Sequence, residues 1–169
     1  MDVAALLVDA FTRVDQAVRR AVDGLTPDQL AFRPDGGANS IAWLIWHLAR
    51  VQDDHLADVM GTEQVWTSRG WVQRFALPLE PSDTGYGHTA DEVGAVRVES
   101  AGLLIGYCTA VHQETVRYVG GLGDDDLDRI VDYAWDPPVS LGVRLVSVIT
   151  DDLEHAGQAA YLRGLLDRQ

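Results

Sequence analysis

Lysine is absent from this sequence, and its 13 basic residues, all arginines, are outnumbered by 26 acidic residues. The formal net charge is −13, whereas a nucleic-acid-binding surface needs clustered positive charge that displaces counterions from phosphates. We therefore expect no nucleic acid partner. Arginine in place of lysine, together with abundant Ala, Val, Gly and Asp, is typical of a high-GC genome.

Cysteine is nearly absent as well, because Cys108 stands alone. No intrachain disulfide and no cysteine-based zinc site can form, so any bound metal must use histidine and carboxylate ligands. The longest weakly polar runs, around residues 41–46 and 101–108, are far shorter than the roughly 20 residues that cross a bilayer. The chain begins with an amphipathic pattern, without a basic segment followed by an apolar one. We therefore expect no signal peptide, no membrane span and a cytoplasmic protein.

The remaining composition is that of an ordinary globular protein, with 47% hydrophobic and 23% charged residues. A chain of 169 residues is large enough to bury a substantial core, so we expect one domain over residues 1–169. Apolar residues recur at helical spacing in four segments, and no strand pattern or internal repeat competes with them. The predicted helices cover about residues 3–22, 41–60, 89–119 and 141–166.

Helix-capping and turn residues mark the boundaries of these segments. Thr89 with Glu92 three residues later is a capping-box signature, and Ser140 is the expected cap of the fourth helix. Glycines, prolines and irregularly spaced aromatic residues make residues 61–88 a predicted long loop with at most one helical turn. A second turn-rich connection covers residues 123–138. The predicted fold is all-α, a four-helix bundle with long crossover connections.

Two of the predicted helices carry polar residues inside an apolar stripe, where an unpaired polar group is costly to bury. In the second helix, His47 has apolar neighbours at spacings of three and four: Trp43, Leu44, Leu48 and Val51. In the fourth helix, Asp151 and His155 interrupt the stripe, and their spacing of four brings both side chains to one point. Imidazoles and a carboxylate suit zinc or a similar divalent ion. We therefore predict a metal site at His47, Asp151 and His155, with one coordination position left open.

The spacing alone leaves other interpretations open. Asp-x-x-x-His occurs often by chance, and a single inward histidine is often a hydrogen-bonded core residue. Asp152 is a rival ligand, because it precedes His155 by three residues and that spacing also serves di-iron bundles. The other helices offer no matching inward glutamates, which argues against a two-metal centre.

Several further polar residues have weaker interpretations. Gln158 lies one turn beyond the predicted ligands and could orient one of them, and Arg163 could anchor an anionic ligand or form a surface salt bridge. Both are the candidate residues for binding a co-substrate. His55 could line a pocket, but we expect it in solvent near the end of its helix. Cys108 and His112 are expected to be a small buried thiol and a partly exposed histidine.

Two segments around these residues resemble the signature stretches of the DinB-like superfamily. One is Ser40-Ile-Ala-Trp-Leu-Ile-Trp-His47-Leu, and the other runs from Asp151-Asp-Leu-Glu-His155 through Gln158 to Tyr161-Leu-Arg163-Gly. The resemblance extends over nearly the whole chain in helix order. It implies a four-helix bundle, often dimeric, that holds a metal through one histidine of the second helix and a pair of residues four apart on the fourth.

The family pair is usually His-x-x-x-His, and Asp151 departs from that pattern. Thiol-dependent maleylpyruvate isomerases, which the chain also resembles, have a carboxylate at this position. The carboxylate makes the ligand set less soft and cancels one unit of metal charge. We expect this change to tune whatever nucleophile the metal holds.

The resemblance also implies an activity. The superfamily includes S-transferases and isomerases that use low-molecular-weight thiols, and high-GC coding favours mycothiol over glutathione or bacillithiol. We expect a zinc-dependent mycothiol S-transferase that acts on small electrophiles in detoxification. Two alternatives stay open, a metal-dependent hydrolase with the same ligands and a non-catalytic, stress-related metal-binding bundle.

Overall fold

Two long helices joined by a short one form the N-terminal part of the protein, whose computed structural model describes residues 1–168. Helix α1 (Val3–Val22) has Asp2 as its N-cap, and the N-terminus of α2 (Pro27–Leu30) is closed by a capping box of Thr26 and Gln29. Helix α3 (Ile41–Met60) begins at Ser40, whose hydroxyl accepts a hydrogen bond from the Trp43 amide. Most residues of α3 are buried, so this helix lies at the centre of the molecule.

The connection after α3 is more ordered than the single helical turn predicted for it. It contains two short helices, α4 (Val65–Ser68) and α5 (Trp71–Phe75). Trp66, Trp71 and Phe75 are buried, and their rings lie 5.1–5.9 Å from the ring of Tyr107. These irregularly spaced aromatic residues therefore belong to the core, where they hold the connection against the bundle.

The predicted third helix is two helices, α6 (Ala90–Ala95) and α7 (Ala101–Val119). The capping box of Thr89 and Glu92 is confirmed at the start of α6. The helix ends because Val96 leaves the helical conformation, which lets Val96 and Val98 both bury their side chains. Ser100 then caps α7 by accepting a hydrogen bond from the Leu103 amide. The long apolar pattern concealed this break.

The second connection contains a small sheet, so the prediction that no strand is present is wrong. After a 3₁₀ helix (Asp124–Asp128), strand β1 (Ile130–Asp132) pairs antiparallel with β2 (Val139–Ser140). Strands of three and two residues are too short to show the alternation that sequence reading relies on. Ser140 caps α8 (Leu141–Leu166), as predicted.

The four long helices pack side by side as an all-α bundle, which confirms the predicted fold class. Helix α8 packs against α1 and α3, and α7 packs against the same two helices. Two groups of buried apolar side chains fill the interior, one around α3 and the aromatic connection and one around the N-terminal half of α8. Within residues 1–168, every helix is too short or too polar to cross a lipid bilayer.

A buried polar network joins α3 to the connection that follows it. The Asp53 carboxylate accepts hydrogen bonds from the Tyr107 hydroxyl and from the amides of Val65 and Trp66, at 2.7–2.8 Å. Arg50 is fully buried, lies 3.7 Å from the same carboxylate and has its guanidinium 5.1 Å from the centre of the Trp66 ring. Since each of these groups is removed from water, the network is stable only with its partners present.

Replacing Arg50 should therefore destabilise the fold. In Arg50→Met the Asp53 carboxylate loses its buried counter-charge, and we expect the free energy of unfolding to fall by about 3–5 kcal/mol. Urea denaturation followed by circular dichroism measures this change. The matched control is Arg13→Met, which removes an exposed arginine paired with Asp9 and should change stability little. Equal losses in the two variants would contradict the structural role of Arg50.

Candidate metal centre

His47 of α3 and the pair Asp151 and His155 of α8 meet where these two helices pack together. One ligand atom from each residue lies within 4.8 Å of the other two. The Nε2 atom of His155 is 3.6 Å from Oδ1 of Asp151, and the rings of His47 and His155 are 4.9 Å apart. Ligands of a tetrahedral zinc ion, at about 2.0–2.1 Å from the metal, are about 3.4 Å apart. The spacing of His155 and Asp151 is therefore close to that of two coordinated ligands, and His47 lies near enough to join them.

Hydrogen bonds at Nδ1 leave the Nε2 atoms of both histidines available. Nδ1 of His47 lies 2.5 Å from the Thr84 carbonyl oxygen, which can only accept, so the proton is on Nδ1. Nδ1 of His155 lies 3.1 Å from Oε1 of Gln158, one turn along α8. A histidine ligand held through its second nitrogen in this way has a defined tautomer and ring orientation. Both imidazoles thus carry the lone pair that a metal needs on Nε2.

Burial and charge around the group favour a cation. Burial lowers the pKa of His47, an effect that the Thr84 hydrogen bond and the Asp151 charge oppose and the His155 imidazole reinforces. His47 is therefore neutral and free to coordinate at neutral pH. Oδ2 of Asp151 is buried and accepts no hydrogen bond from any described residue. An unpaired carboxylate oxygen beside two free imidazole nitrogens fits a divalent ion such as zinc.

Asp152 points away from this group and into the core. It is fully buried on the inward stripe of α8, one turn from Val148 and from Ala156. Burial raises the pKa of Asp152, and neither of its carboxyl oxygens has a hydrogen-bond partner among residues 1–168. The side chains of Asp151 and His155 are 36% and 18% exposed and lie at the edge of the stripe, not inside it as the sequence pattern predicted. Of the two adjacent aspartates, Asp151 belongs to the group that could hold a metal ion.

A cavity of about 360 Å³ opens beside His47 and Asp151. Its other walls come from α3, the two long connections and α8: Val51, Asp54, His55, Thr84, Tyr86, Trp135, Arg144, Ser147 and Val148. His55 was expected in solvent near the end of its helix, but it is half-buried and lines this cavity. Tyr86 and Trp135 are exposed at its rim. The candidate ligands thus have one side open to a chamber large enough for a small molecule.

Apart from Gln158, which contacts His155, the remaining candidate residues lie away from the candidate metal site. Arg163 donates hydrogen bonds to the carbonyl oxygens of Asp23 and Arg20 at the end of α1, at 2.6 and 3.4 Å. Its role in binding a co-substrate stays a prediction, as does that of Gln158. Cys108 is confirmed as a buried core residue, and burial raises the pKa of its thiol. His112 on the same helix is half-buried, and the two do not form a hydrogen-bonded pair.

Sequence reasoning missed the residues of the first connection that contact the site. The Thr84 carbonyl holds His47, and His88 lies between the ring of Trp43 and the carboxylate of Asp83. A backbone carbonyl leaves no mark in a sequence. The available signal was the pair Gly85 and Gly87 next to a histidine, because glycines with positive φ allow close approach of the backbone.

The protein resembles known proteins in both sequence and structure. The family profile described as the DinB superfamily matches residues 10–159. A solved structure described as the crystal structure of the conserved protein of locus from Enterococcus faecalis is 31% identical in sequence. It superposes with a TM-score of 0.92, and the match covers 100% of this chain and 99% of that one. No protein of curated function matches the sequence.

The proposed ligands can be tested by measuring metal content. We expect about one divalent ion per chain in the unmodified protein and little in His47→Ala or His155→Ala, because each variant removes one of three ligands. Elemental analysis after dialysis against a weak chelator gives the result. Asp151→Asn should weaken binding, whereas Asp152→Asn, its matched neighbour, should bind nearly normally. Full metal retention in both histidine variants, or the reverse order for the two aspartates, would contradict the assignment.

Proposed function

Because the chain belongs to the DinB superfamily, we propose that it is a zinc-dependent S-transferase that joins mycothiol to small electrophiles. The observation that carries this proposal is the group of His47, Asp151 and His155, whose open side adjoins the cavity of about 360 Å³. Three protein ligands with a fourth position free are the arrangement of a catalytic metal site. A structural site of the same ion would be closed by a fourth side chain.

The chemistry proposed for this site is the formation of a thiolate. A divalent ion held here supplies positive charge that favours the ionised form of a coordinated thiol near neutral pH. His47 and His155 would contribute neutral donors and Asp151 one negative charge, so this ligand set would leave part of the metal charge uncompensated. The protein's own Cys108 takes no part, because it is buried in the core on α7.

The walls of the cavity support a thiol with a large polar body. The cavity wall offers hydrogen-bond donors and acceptors from Asp54, Arg144 and Ser147. It also offers the exposed aromatic rings of Tyr86 and Trp135. Mycothiol carries its cysteine on two hydroxyl-rich rings, which can pack on aromatic side chains and bond to the polar ones. A small electrophile then needs only to reach the sulfur.

The proposal also covers the location, role and partners of the protein. We place the protein in the cytoplasm, with detoxification of electrophiles as its role. The proposed partners are the thiol and a small-molecule electrophile, and a second copy of the chain would form a homodimer as in other family members. Residues 1–169 would form one domain.

Thiol consumption is the direct test of the transferase. Zinc-loaded protein should join mycothiol to monochlorobimane faster than the uncatalysed reaction, measured by fluorescence, and it should use glutathione less well. Chelation of the metal and Asp151→Asn should each remove most of the activity, whereas the control Cys108→Ser should keep most of it. All three results are expected if a metal held by His47, Asp151 and His155, and not the thiol of Cys108, would supply the reactive thiolate.

Two other outcomes would favour a different function. Ester or amide hydrolysis by the metal-loaded protein, without any thiol and indifferent to which thiol is added, would indicate a hydrolase. If a panel of thiols and electrophiles shows no thiol consumption, the protein is better described as a non-catalytic metal-binding bundle.

A further inference from the structure

His47 is held by a closed cycle of contacts between α3 and the connection that follows it. The face of its imidazole stacks on Trp43, with the ring centres 4.5 Å apart and the planes at 15°. Its edge donates from Nδ1 to the Thr84 carbonyl at 2.5 Å. Trp43 is one turn before His47 on α3, whereas Thr84 lies 37 residues away along the chain. One face and one edge of the same ring are therefore fixed by different segments.

The side chain of His88 connects these two contacts. Nε1–H of Trp43 donates to Nδ1 of His88 at 3.0 Å, so the proton of His88 is on Nε2 and is donated to the Asp83 carboxylate at 2.9 Å. Asp83 precedes Thr84 directly. The cycle from His47 through Thr84, Asp83, His88 and Trp43 is thereby complete.

Asp83 is held from both ends. Its carboxylate accepts a hydrogen bond from the Gly85 amide at 2.8 Å, and its carbonyl oxygen accepts one from Nε of the buried Arg50 at 3.1 Å. Partial burial raises the pKa of Asp83, but the hydrogen bonds from His88 and Gly85 outweigh that effect and keep the pKa below its usual value. With bonds on either side of it, the peptide unit that presents the Thr84 carbonyl has little freedom to rotate.

Gly85 allows the backbone to come this close. It has a φ of +91°, and a Cβ atom there would lie 2.8 Å from Nδ1 of His47 and 3.0 Å from the Trp46 ring. Gly87 has a similar φ of +74°, but a Cβ atom at that position would meet nothing within 4 Å. Both glycines therefore adopt a positive φ that disfavours other residues, but only Gly85 lies close to His47. Comparing substitutions at the two positions separates the effect of backbone strain from the effect on His47.

We propose that His88 and Asp83 are positioning residues, which fix the tautomer and ring plane of His47 before any metal binds. The proposal rests on the proposed metal site, since it explains how one ligand of that site is made ready. A neutral imidazole has two tautomers, and only the one protonated on Nδ1 presents Nε2 as a donor. His155 is oriented by Gln158 of its own helix, whereas His47 depends on the connection between α3 and α6.

The metal-free protein provides the first test. Long-range ¹H–¹⁵N spectra of the imidazole nitrogens should show His47 as one tautomer, protonated on Nδ1, in the unmodified protein. His88→Ala should give a mixture of tautomers, because the link from Trp43 through His88 to Asp83 is lost and the Thr84 carbonyl is then held less firmly. The control His112→Ala removes a half-buried imidazole from α7, outside the cycle, and should leave the His47 tautomer unchanged.

Metal affinity gives the second readout. Losing the partner of a ligating histidine typically weakens metal binding by about 10–100-fold, and we expect this for His88→Ala but not for His112→Ala in a competition titration with a chromogenic chelator. If His88→Ala fails to fold, Gly85→Ala replaces it, with Gly87→Ala as its control for positive φ. Gly85→Ala should then lose affinity about 10-fold or more relative to Gly87→Ala.

These measurements are independent of the proposed reaction. A protein that consumes no thiol can still show a single His47 tautomer that His88→Ala disrupts, and that result would support the positioning role while the transferase fails. An unchanged His47 tautomer and unchanged zinc affinity in His88→Ala, with the fold intact by circular dichroism, would overturn the inference.

Discussion

The burial of α3 on nearly every side is the constraint from which the rest of the structure follows. A buried polar group without a partner is costly. Helix α3 carries buried polar side chains that therefore need partners: His47, Arg50, Gln52 and Asp53. Gln52 finds Thr115 on α7, but the other three are satisfied largely by the connection that follows α3. That connection is therefore folded down onto the bundle, because its carbonyl and amide groups complete the hydrogen bonding of the central helix.

The two sides of the candidate metal site differ in burial as a result of this arrangement. Its α3 side is deep and held in place, since His47 is 5% exposed and bonded to Thr84. Its α8 side lies at the edge of the helix stripe, where Asp151 and His155 are half-buried and Asp151 lines the cavity. A ligand set that is rigid on one side and accessible on the other suits a site that holds an ion and admits a second molecule.

The pair Asp151 and Asp152 shows how one helical step divides two identical residues. A shift of about 100° around the helix axis places Asp151 beside His155 and Asp152 in the apolar core. The first is available to a cation, and burial raises the pKa of the second, which favours its uncharged form. The overall charge of −13 therefore says little about the site, because neighbouring carboxylates differ so much in environment.

The sequence by itself indicated the four long helical segments, the caps at Thr89 and Ser140 and the spacing of four between Asp151 and His155, because helical periodicity and capping are local properties. The prediction that His47 joins them as a ligand depended on the resemblance to the DinB-like superfamily as well. Neither the break between α6 and α7 nor the short strands could be read from the sequence, since burial of Val96 and Val98 and a two-residue pairing depend on distant neighbours. Only the tertiary structure decided that Thr84, Asp83 and His88 surround His47. The contact of Thr84 with His47 joins residues 37 apart through a backbone carbonyl, which every residue possesses and no sequence pattern distinguishes, and the side chains of His88 and Asp83 complete it from the same distant segment.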